Sequence, residues 1–444
     1  MPKEYEVEPV TRLEGHGGLK IKLSDDGKQV LDAQFNVTTT RFFEKFVEGR
    51  FMEHVPRITP RICGICPIPH HLTPTKAVED AWDVEIPEPA RKLRELMINA
   101  KQYSSHMLHF YALAAPDFLY GPFAPPEKRN VVQVIKDLPE AGAMALKMMD
   151  YGQKLCQTIG GKSVHPIIAI PGGMKKPFSE DDRDKFLKGI DEQIEFTKAT
   201  VDIALKVVEA YWDVVANVGT VPTWYLGIAK PDGTHEIYDG DLVTVSPEGE
   251  KKHYKAQDYL DVIGEHVSKQ NYGTHTFIKE AGYPDGIYRT NCLAMTNACD
   301  KMATPLADDA LKAMQEKVGS KVIHNVFAYH WARIIETVEA VEKMATLLKD
   351  PDIVSTDIKT MDVEPKAGRG VGMVEAPRGV LIYDLKSDEK GLCEKANLLV
   401  ATNHNLAGIN KTVTAVAKQV FEQNALDTIG PTLPKIEDGK TLLG

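Results

Sequence analysis

The chain has 444 residues, 43% hydrophobic and 26% charged, with a formal net charge of −10 at pH 7. This composition is that of a folded globular protein, larger than a usual single core, so one large domain with insertions or two domains is the starting expectation. It argues against nucleic acid as the main partner, since no basic stripe stands out. No apolar run approaches the roughly 18 residues of a membrane span. The opening Met1-Pro2-Lys3-Glu4-Tyr5-Glu6 lacks a secretory pattern. Six scattered cysteines make no disulfide framework, which points to a reducing, cytoplasmic setting.

Residues 1–40 read as an antiparallel meander: Leu19, Ile21 and Leu23 alternate with Lys20, Lys22 and Ser24, and Asp25-Asp26-Gly27 supplies a turn. From about Thr75 the period becomes helical. Residues 90–115 lack Gly and Pro and carry one stripe of Leu93, Leu96, Met97, Tyr103, Met107 and Phe110. A helical stretch over 126–159 is divided by Pro139. Ser179 caps the longest predicted helix, with Glu180, Asp181 and Asp182 in its first turn and an apolar face running to Val215. Residues 222–254 return to β character as a surface insertion between the turns Pro231-Asp232-Gly233 and Pro247-Glu248-Gly249. Residues 321–349 form a helix, 371–402 strands, and 410–423 a last helix, followed by a loop-like tail. The expected architecture is mainly α with α+β elements and long central helices.

The chemistry centres on Arg61-Ile62-Cys63-Gly64-Ile65-Cys66, with His70 four residues on. Two thiolates are half of a tetrahedral thiolate site. The same spacing serves a redox dithiol, half a zinc site or two small buried residues. Pro60 and Pro67 hold the segment as a rigid loop, which suits ligation better than a mobile dithiol. Glu14 lies among glycines in Arg12-Leu13-Glu14-Gly15-His16, and Glu44 lies between aromatics in Arg41-Phe42-Phe43-Glu44, as a salt bridge or a hard-metal ligand. Gly368-Arg369-Gly370-Val371-Gly372 is phosphate-loop-like only superficially, since no lysine follows and Pro377 blocks an immediate helix.

Taken in order, these elements, the Gly160–Gly173 stretch and Gly372-Met373-Val374-Glu375-Ala376-Pro377-Arg378-Gly379 resemble the large subunit of nickel-iron hydrogenases from the start nearly to the end. The likeness is greatest to the cytoplasmic methyl-viologen-reducing (deazaflavin-non-reducing) group of methanogenic archaea. The resemblance implies one large domain over residues 1–444. It also implies a nickel held by four thiolates, two of them shared with an iron that carries CO and cyanide, where hydrogen is split heterolytically. Cys63 matches the terminal nickel ligand and Cys66 a bridging one. His70 matches a residue that hydrogen-bonds a ligand sulfur. Glu14 matches the carboxylate that begins the proton exit path. Arg378 matches the guanidinium over the metal pair, oriented by Asp117. Thr402 matches a cyanide partner, and Pro377 lines the same pocket. Glu44 and the backbone carbonyl of Leu398 match ligands of magnesium or another hard cation. His165 matches a residue facing an iron-sulfur cluster of the small subunit, and His71 has no matched role.

The family's second CxxC, in a DPCxxCxxH-like element, does not occur in this sequence, and Cys393 is single and precedes Thr402. The other two ligands are expected on a separate small selenocysteine peptide. A longer chain is the next reading, and a nickel-free hydrogenase-like relic the third. A zinc or dithiol CxxC protein is the alternative from another class. Without a cluster-binding cysteine series of its own, the chain is expected to pass electrons to an iron-sulfur small subunit. From there the resemblance implies transfer through a two-iron two-sulfur subunit to a flavin-containing, electron-bifurcating heterodisulfide reductase.

Overall fold

Alternation at the N-terminus produces the expected meander. In the computed structural model, which describes residues 3–269, 271–437 and 440–443, β1 (Lys3–Val7), β2 (Gly17–Leu23) and β3 (Val30–Val37) pair antiparallel in that order. The loop between β1 and β2 carries Glu14, flanked by Arg12 and Gly15 at positive φ (53° and 87°). The backbone reverses there in a conformation that glycine adopts at least cost.

Five helices form the body. They are α1 (Pro69–Trp82), α2 (Glu88–Leu108), α3 (Pro139–Gly160), α4 (Glu180–Ala210) and α5 (Ala328–Lys349). Pro139 separates α3 from a short helix at Val131–Asp137, as predicted. The Ser179 hydroxyl accepts the Asp182 N–H at 3.2 Å and caps α4. The predicted run to Val215 breaks at Tyr211, and Trp212–Asn217 forms a separate helix. At the end of α2 the chain widens into a π-helical segment, His109–Ala114, and continues through Ala115–Tyr120, where Pro116 sits in the first turn. Helix α5 begins at 328 rather than 321, because Asn325 is engaged with the carbonyls of Val215 and Ala216.

The stretch over 222–254 is β as expected: β4 (Trp224–Ala229), β5 (Asp241–Val245) and β6 (Lys251–Tyr254), with β7 (Tyr288–Arg289) parallel to β4 in the order β7-β4-β5-β6. Its surface placement is corrected. Tyr225, Leu226, Leu242 and Val243 are fully buried, because helix Cys292–Ala298 lies against Gly227.

The last sheet is β8 (Gly368–Ala376), β9 (Gly379–Ser387) and β10 (Cys393–Leu399), antiparallel in sequence order. Ala376 pairs with Gly379, so Pro377 and Arg378 are the whole of a two-residue hairpin turn. Gly368, Gly370 and Gly372 belong to β8 and touch α1. A Cβ on them would lie 2.1, 2.1 and 2.0 Å from the carbonyl oxygens of Ala81, Ala77 and Thr73. Two strand residues advance about 6.6 Å and four helix residues about 6 Å, so the two periods run nearly in step. Helix α6 (Ala401–Phe421) starts directly after β10, nine residues earlier than predicted, since Asn403, Asn405, Gly408 and Asn410 weaken its helical signal.

Candidate metal centre

Four distant stretches meet at one pocket. A 3-10 turn at Thr59–Ile62 leads into the extended Cys63, and Pro69 opens α1, so the Cys63–Cys66 loop is held between two helical ends. The Cys63 and Cys66 sulfurs are in contact, with Cα atoms 5.5 Å apart. A ring nitrogen of His70 completes a group whose donor atoms all lie within 4.8 Å of one another. His70 Nδ1 and the Tyr383 hydroxyl are 2.6 Å apart. Burial lowers the imidazole pKa to about 3, so the ring is neutral.

Glu14 Oε1 lies 2.8 Å from Cys63 Sγ, and Glu14 Oε2 lies 3.4 Å from Arg378 Nε. Arg378 reaches the pocket from the hairpin turn. Its Nη1 donates to Ser105 Oγ at 3.0 Å and to the Pro377 carbonyl at 3.3 Å, while Nη2 is buried without a partner. Desolvation, reinforced by Arg333, lowers the Arg378 pKa to about 10, against the opposing pull of Glu14. Asn405, on the first turn of α6, donates to the Arg378 carbonyl. Thr402 lies on the same turn, exposed, and Pro377 is buried. The residue types fit a nickel-iron group: soft sulfurs converge, a carboxylate touches one of them, and a guanidinium keeps a free donor.

One expectation is corrected. Asp117 does not orient Arg378: its carboxylate pairs with Arg12 Nη2 at 2.7 and 2.8 Å and with Arg129 Nη1 at 3.0 Å. The π-helical widening and Pro116 place it beside the β1–β2 loop, so it braces the segment that carries Glu14. Glu44 and Leu398, expected as hard-cation ligands, lie side by side. Glu44 Oε1 accepts the Leu398 N–H at 2.9 Å, and Arg41 supplies the balancing charge through Nη2 at 2.6 Å.

His71 accepts the Ala169 N–H at Nε2 and donates from Nδ1 to the Pro56 carbonyl. It ties α1 to the Gly160–Gly173 stretch. Arg94 holds the same stretch, bridging Glu79 and the carbonyls of Ile170 and Gly173 in full burial. His165 sits at positive φ in the neighbouring loop.

Sequence reasoning missed Ser105, Tyr383 and Asn405, and above all a buried polar network on α5. Arg333, Glu336, Glu339 and Lys343 recur at three- and four-residue spacing, which marks one helix face. His106 meets Glu336 at 2.9 Å, and His235 meets Glu339 at 2.8 Å. Burial alone would lower the His235 pKa, but Glu339 and Glu336 outweigh it and raise it to about 9. His235 therefore keeps a proton in the folded chain that an unfolded imidazole, with its ordinary pKa near 6.5, gives up. This stabilisation is full below about pH 6.5 and is lost as pH rises through 9. Thermal denaturation between about pH 6 and 10 should show a falling Tm that His235→Gln flattens; an unchanged slope would remove His235 as the cause.

Comparison with known proteins gives this geometry its family. Residues 41–121 match the nickel-dependent hydrogenase family and residues 5–39 a HoxL-like family. Over 417 residues the chain is 48% identical to its counterpart in the vhu F420-non-reducing hydrogenase of Methanocaldococcus jannaschii, covering 94% of this chain and 99% of that protein. It is 38% identical over 422 residues to its counterpart in the F420-non-reducing hydrogenase of Methanothermobacter marburgensis, covering 94% and 88%. The structure of an NAD+-reducing NiFe hydrogenase in its H2-reduced state superposes with a TM-score of 0.89 at 31% identity, over 97% of each chain. The nickel-iron-selenium hydrogenase of Desulfovibrio vulgaris Hildenborough shares the fold, with a TM-score of 0.76 at 21% identity over 95% and 98%. The chain belongs to the nickel-dependent hydrogenases, as a catalytic large subunit of the F420-non-reducing kind.

Proposed function

We propose that Cys63 and Cys66 bind nickel, one as terminal and one as bridging ligand, and that Glu14 is the first base to take the proton released when hydrogen is split. The observation that carries this reading is the 2.8 Å separation of Glu14 Oε1 from Cys63 Sγ. When bound, nickel beside a CO- and cyanide-ligated iron supplies the soft Lewis-acidic centre that polarises hydrogen. The chain's own residues do the rest. Glu14 accepts a proton at Oε1. Arg378 holds the other oxygen and offers its free Nη2 to the pocket. His70 takes the Tyr383 hydroxyl at Nδ1, which leaves Nε2–H as its remaining donor. Pro377 and Thr402 shape the wall where the iron ligands would lie. The main core runs from Val47 to Ala401, which supports one catalytic unit along the chain.

Two further thiolates come from elsewhere, because among the described residues no other cysteine groups with Cys63 and Cys66. Cys156 contacts the Met97 carbonyl, Cys292 contacts Asn291, Cys299 the Thr296 carbonyl and Cys393 the Lys395 carbonyl, all four buried. A separate short peptide with selenocysteine in place of one cysteine is the source we favour. Intact-mass and metal analysis of the purified complex is expected to show a peptide of a few dozen residues with nickel and iron in equal amounts. A longer large subunit with its own second CxxC would overturn the split site alone. Zinc in place of nickel would overturn the nickel centre.

Electrons leave through an iron-sulfur small subunit. Beside Arg61 a groove of about 650 Å³ combines Phe42 and Phe46, 62% and 44% exposed, with Arg50, Arg57 and Lys162. This aromatic and basic face, next to the loop that carries His165, supports docking of that subunit there. Onward acceptors are the two-iron two-sulfur subunit, then the flavin-containing heterodisulfide reductase. The cytoplasm is the proposed site of action, and among the described residues no helix is long and apolar enough to cross a membrane.

A further inference from the structure

The Pro377–Arg378 turn lies inside the protein, where Ala376, Pro377 and Gly379 are all buried. A two-residue hairpin tip ordinarily projects into water, which satisfies its carbonyls. A buried tip needs partners from the protein instead. Side chains from three other elements supply them. Arg333 Nη1 on α5 donates to the Pro377 carbonyl at 2.8 Å, and Asn405 Nδ2 on α6 donates to the Arg378 carbonyl at 3.2 Å. Thr290, directly after β7, accepts the Val380 N–H at 2.9 Å. The holders are held in turn. Arg333 Nη2 donates to Asn291 Oδ1 at 3.2 Å, and its Nη1 lies 3.4 Å from His106 Nδ1. Asn405 donates to the Ala401 carbonyl and accepts the Thr290 N–H.

We propose that Arg333 and Asn405 are positioning residues for Arg378: they fix the two carbonyls of the turn, so that the guanidinium faces the metal pocket with Nη2 free. The Pro377 oxygen shows why a holder is needed. Arg378 Nη1 itself lies 3.3 Å from it, so two guanidinium groups meet one carbonyl. Arg333 takes the short bond. Repulsion between the like charges leaves Arg378 the long one and turns its head toward Ser105 Oγ at 3.0 Å and Glu14 Oε2 at 3.4 Å. Without Arg333 the carbonyl is open, and the Arg378 head closes on its own turn, away from the pocket. Packing alone does not call for an arginine on α5. A buried guanidinium costs desolvation that an apolar side chain of similar volume avoids, but an apolar side chain leaves the Pro377 carbonyl unoccupied. The nearby charge of Arg333 also adds to desolvation in lowering the Arg378 pKa to about 10.

This clamp rests on Arg378 acting at the metal pocket and is independent of the split nickel site. The test uses the assembled hydrogenase complex with Arg333→Lys or Asn405→Ala, each alone and each combined with Arg378→Lys. Lysine keeps the charge of Arg333 but lacks the planar fork that spans Pro377, Asn291 and His106. Alanine suits α6 and removes the donor to the Arg378 carbonyl. Each single variant should keep nickel, lose turnover by about tenfold or more, and shift the infrared stretching bands of the iron-bound cyanide, which sense the guanidinium. In the Arg378→Lys background neither should cost more than about a further twofold, because the group they place is gone. Turnover within about twofold of wild type or unshifted bands in the nickel-loaded single variants would overturn the clamp. Losses that multiply with that of Arg378→Lys, or loss of nickel from both single variants, would make the two residues merely structural. If Arg333→Lys alone fails to assemble, Asn405→Ala decides. Wild-type turnover in Arg378→Lys by itself would fail the reading of Arg378 instead, and the cyanide bands of the single variants then decide the clamp.

Discussion

Glu14→Gln is expected to reduce hydrogen turnover and hydrogen–deuterium exchange with water by about 10² to 10⁴, the range for loss of a positioned proton acceptor, while nickel stays bound. Glutamine has the same length and shape, and its amide oxygen can still accept from Arg378 Nε, which lies 3.4 Å from the native carboxylate. It cannot take a proton from the Cys63 side, where the native oxygen stands 2.8 Å from Sγ. Metal ligation does not involve this side chain, so nickel content separates a relay defect from a damaged site. Exchange at the wild-type rate in a nickel-replete variant would refute the relay.

Gly370→Ala is expected to be the most disruptive single-methyl change in the fold, costing on the order of 4 kcal/mol or more. Its Cβ would meet the Ala77 oxygen at 2.1 Å, the Ala81 nitrogen at 2.2 Å and the Ala81 Cα at 2.8 Å. All three are helix backbone, which cannot rotate away as a side chain can. Helix α1 would have to lift from β8, and α1 carries His70 directly after the Cys63–Cys66 loop. Both the melting temperature and nickel incorporation should therefore fall together. Gly430→Ala is the control, since its Cβ would meet nothing within 4 Å. Equal stability of the two variants would show that the strand–helix contact relaxes without cost.

Local chemistry was legible where one residue decides the outcome: Ser179 as a cap, Pro139 as a break, alternation in β2, and the convergence of Glu14 with Cys63 through their motifs. Features set by packing were not. Gly368 and Gly370 fell outside the strand expected from 371, because a sequence does not reveal that a helix backbone lies against them. The partners of Asp117 depend on the π-helical widening after α2, which shifts the following residues around the helix axis. The Leu398 N–H that Glu44 accepts is set by sheet register, which the sequence does not show. The polar residues of α5 resemble an exposed charged face; only the strands and helices around them show that the face is interior.

The pocket draws Glu14 from the first loop, Cys63 and Cys66 from the loop before α1, Ser105 from α2 and Arg378 from a hairpin near the far end of the chain. Such a site has high contact order, and closing its longest loops comes late in folding. A nascent chain that has only reached α5 presents the two sulfurs and Glu14 without the guanidinium. The complete constellation exists only after the β8–β9 hairpin has docked on α1, so a fully furnished metal pocket waits on that long-range step of folding.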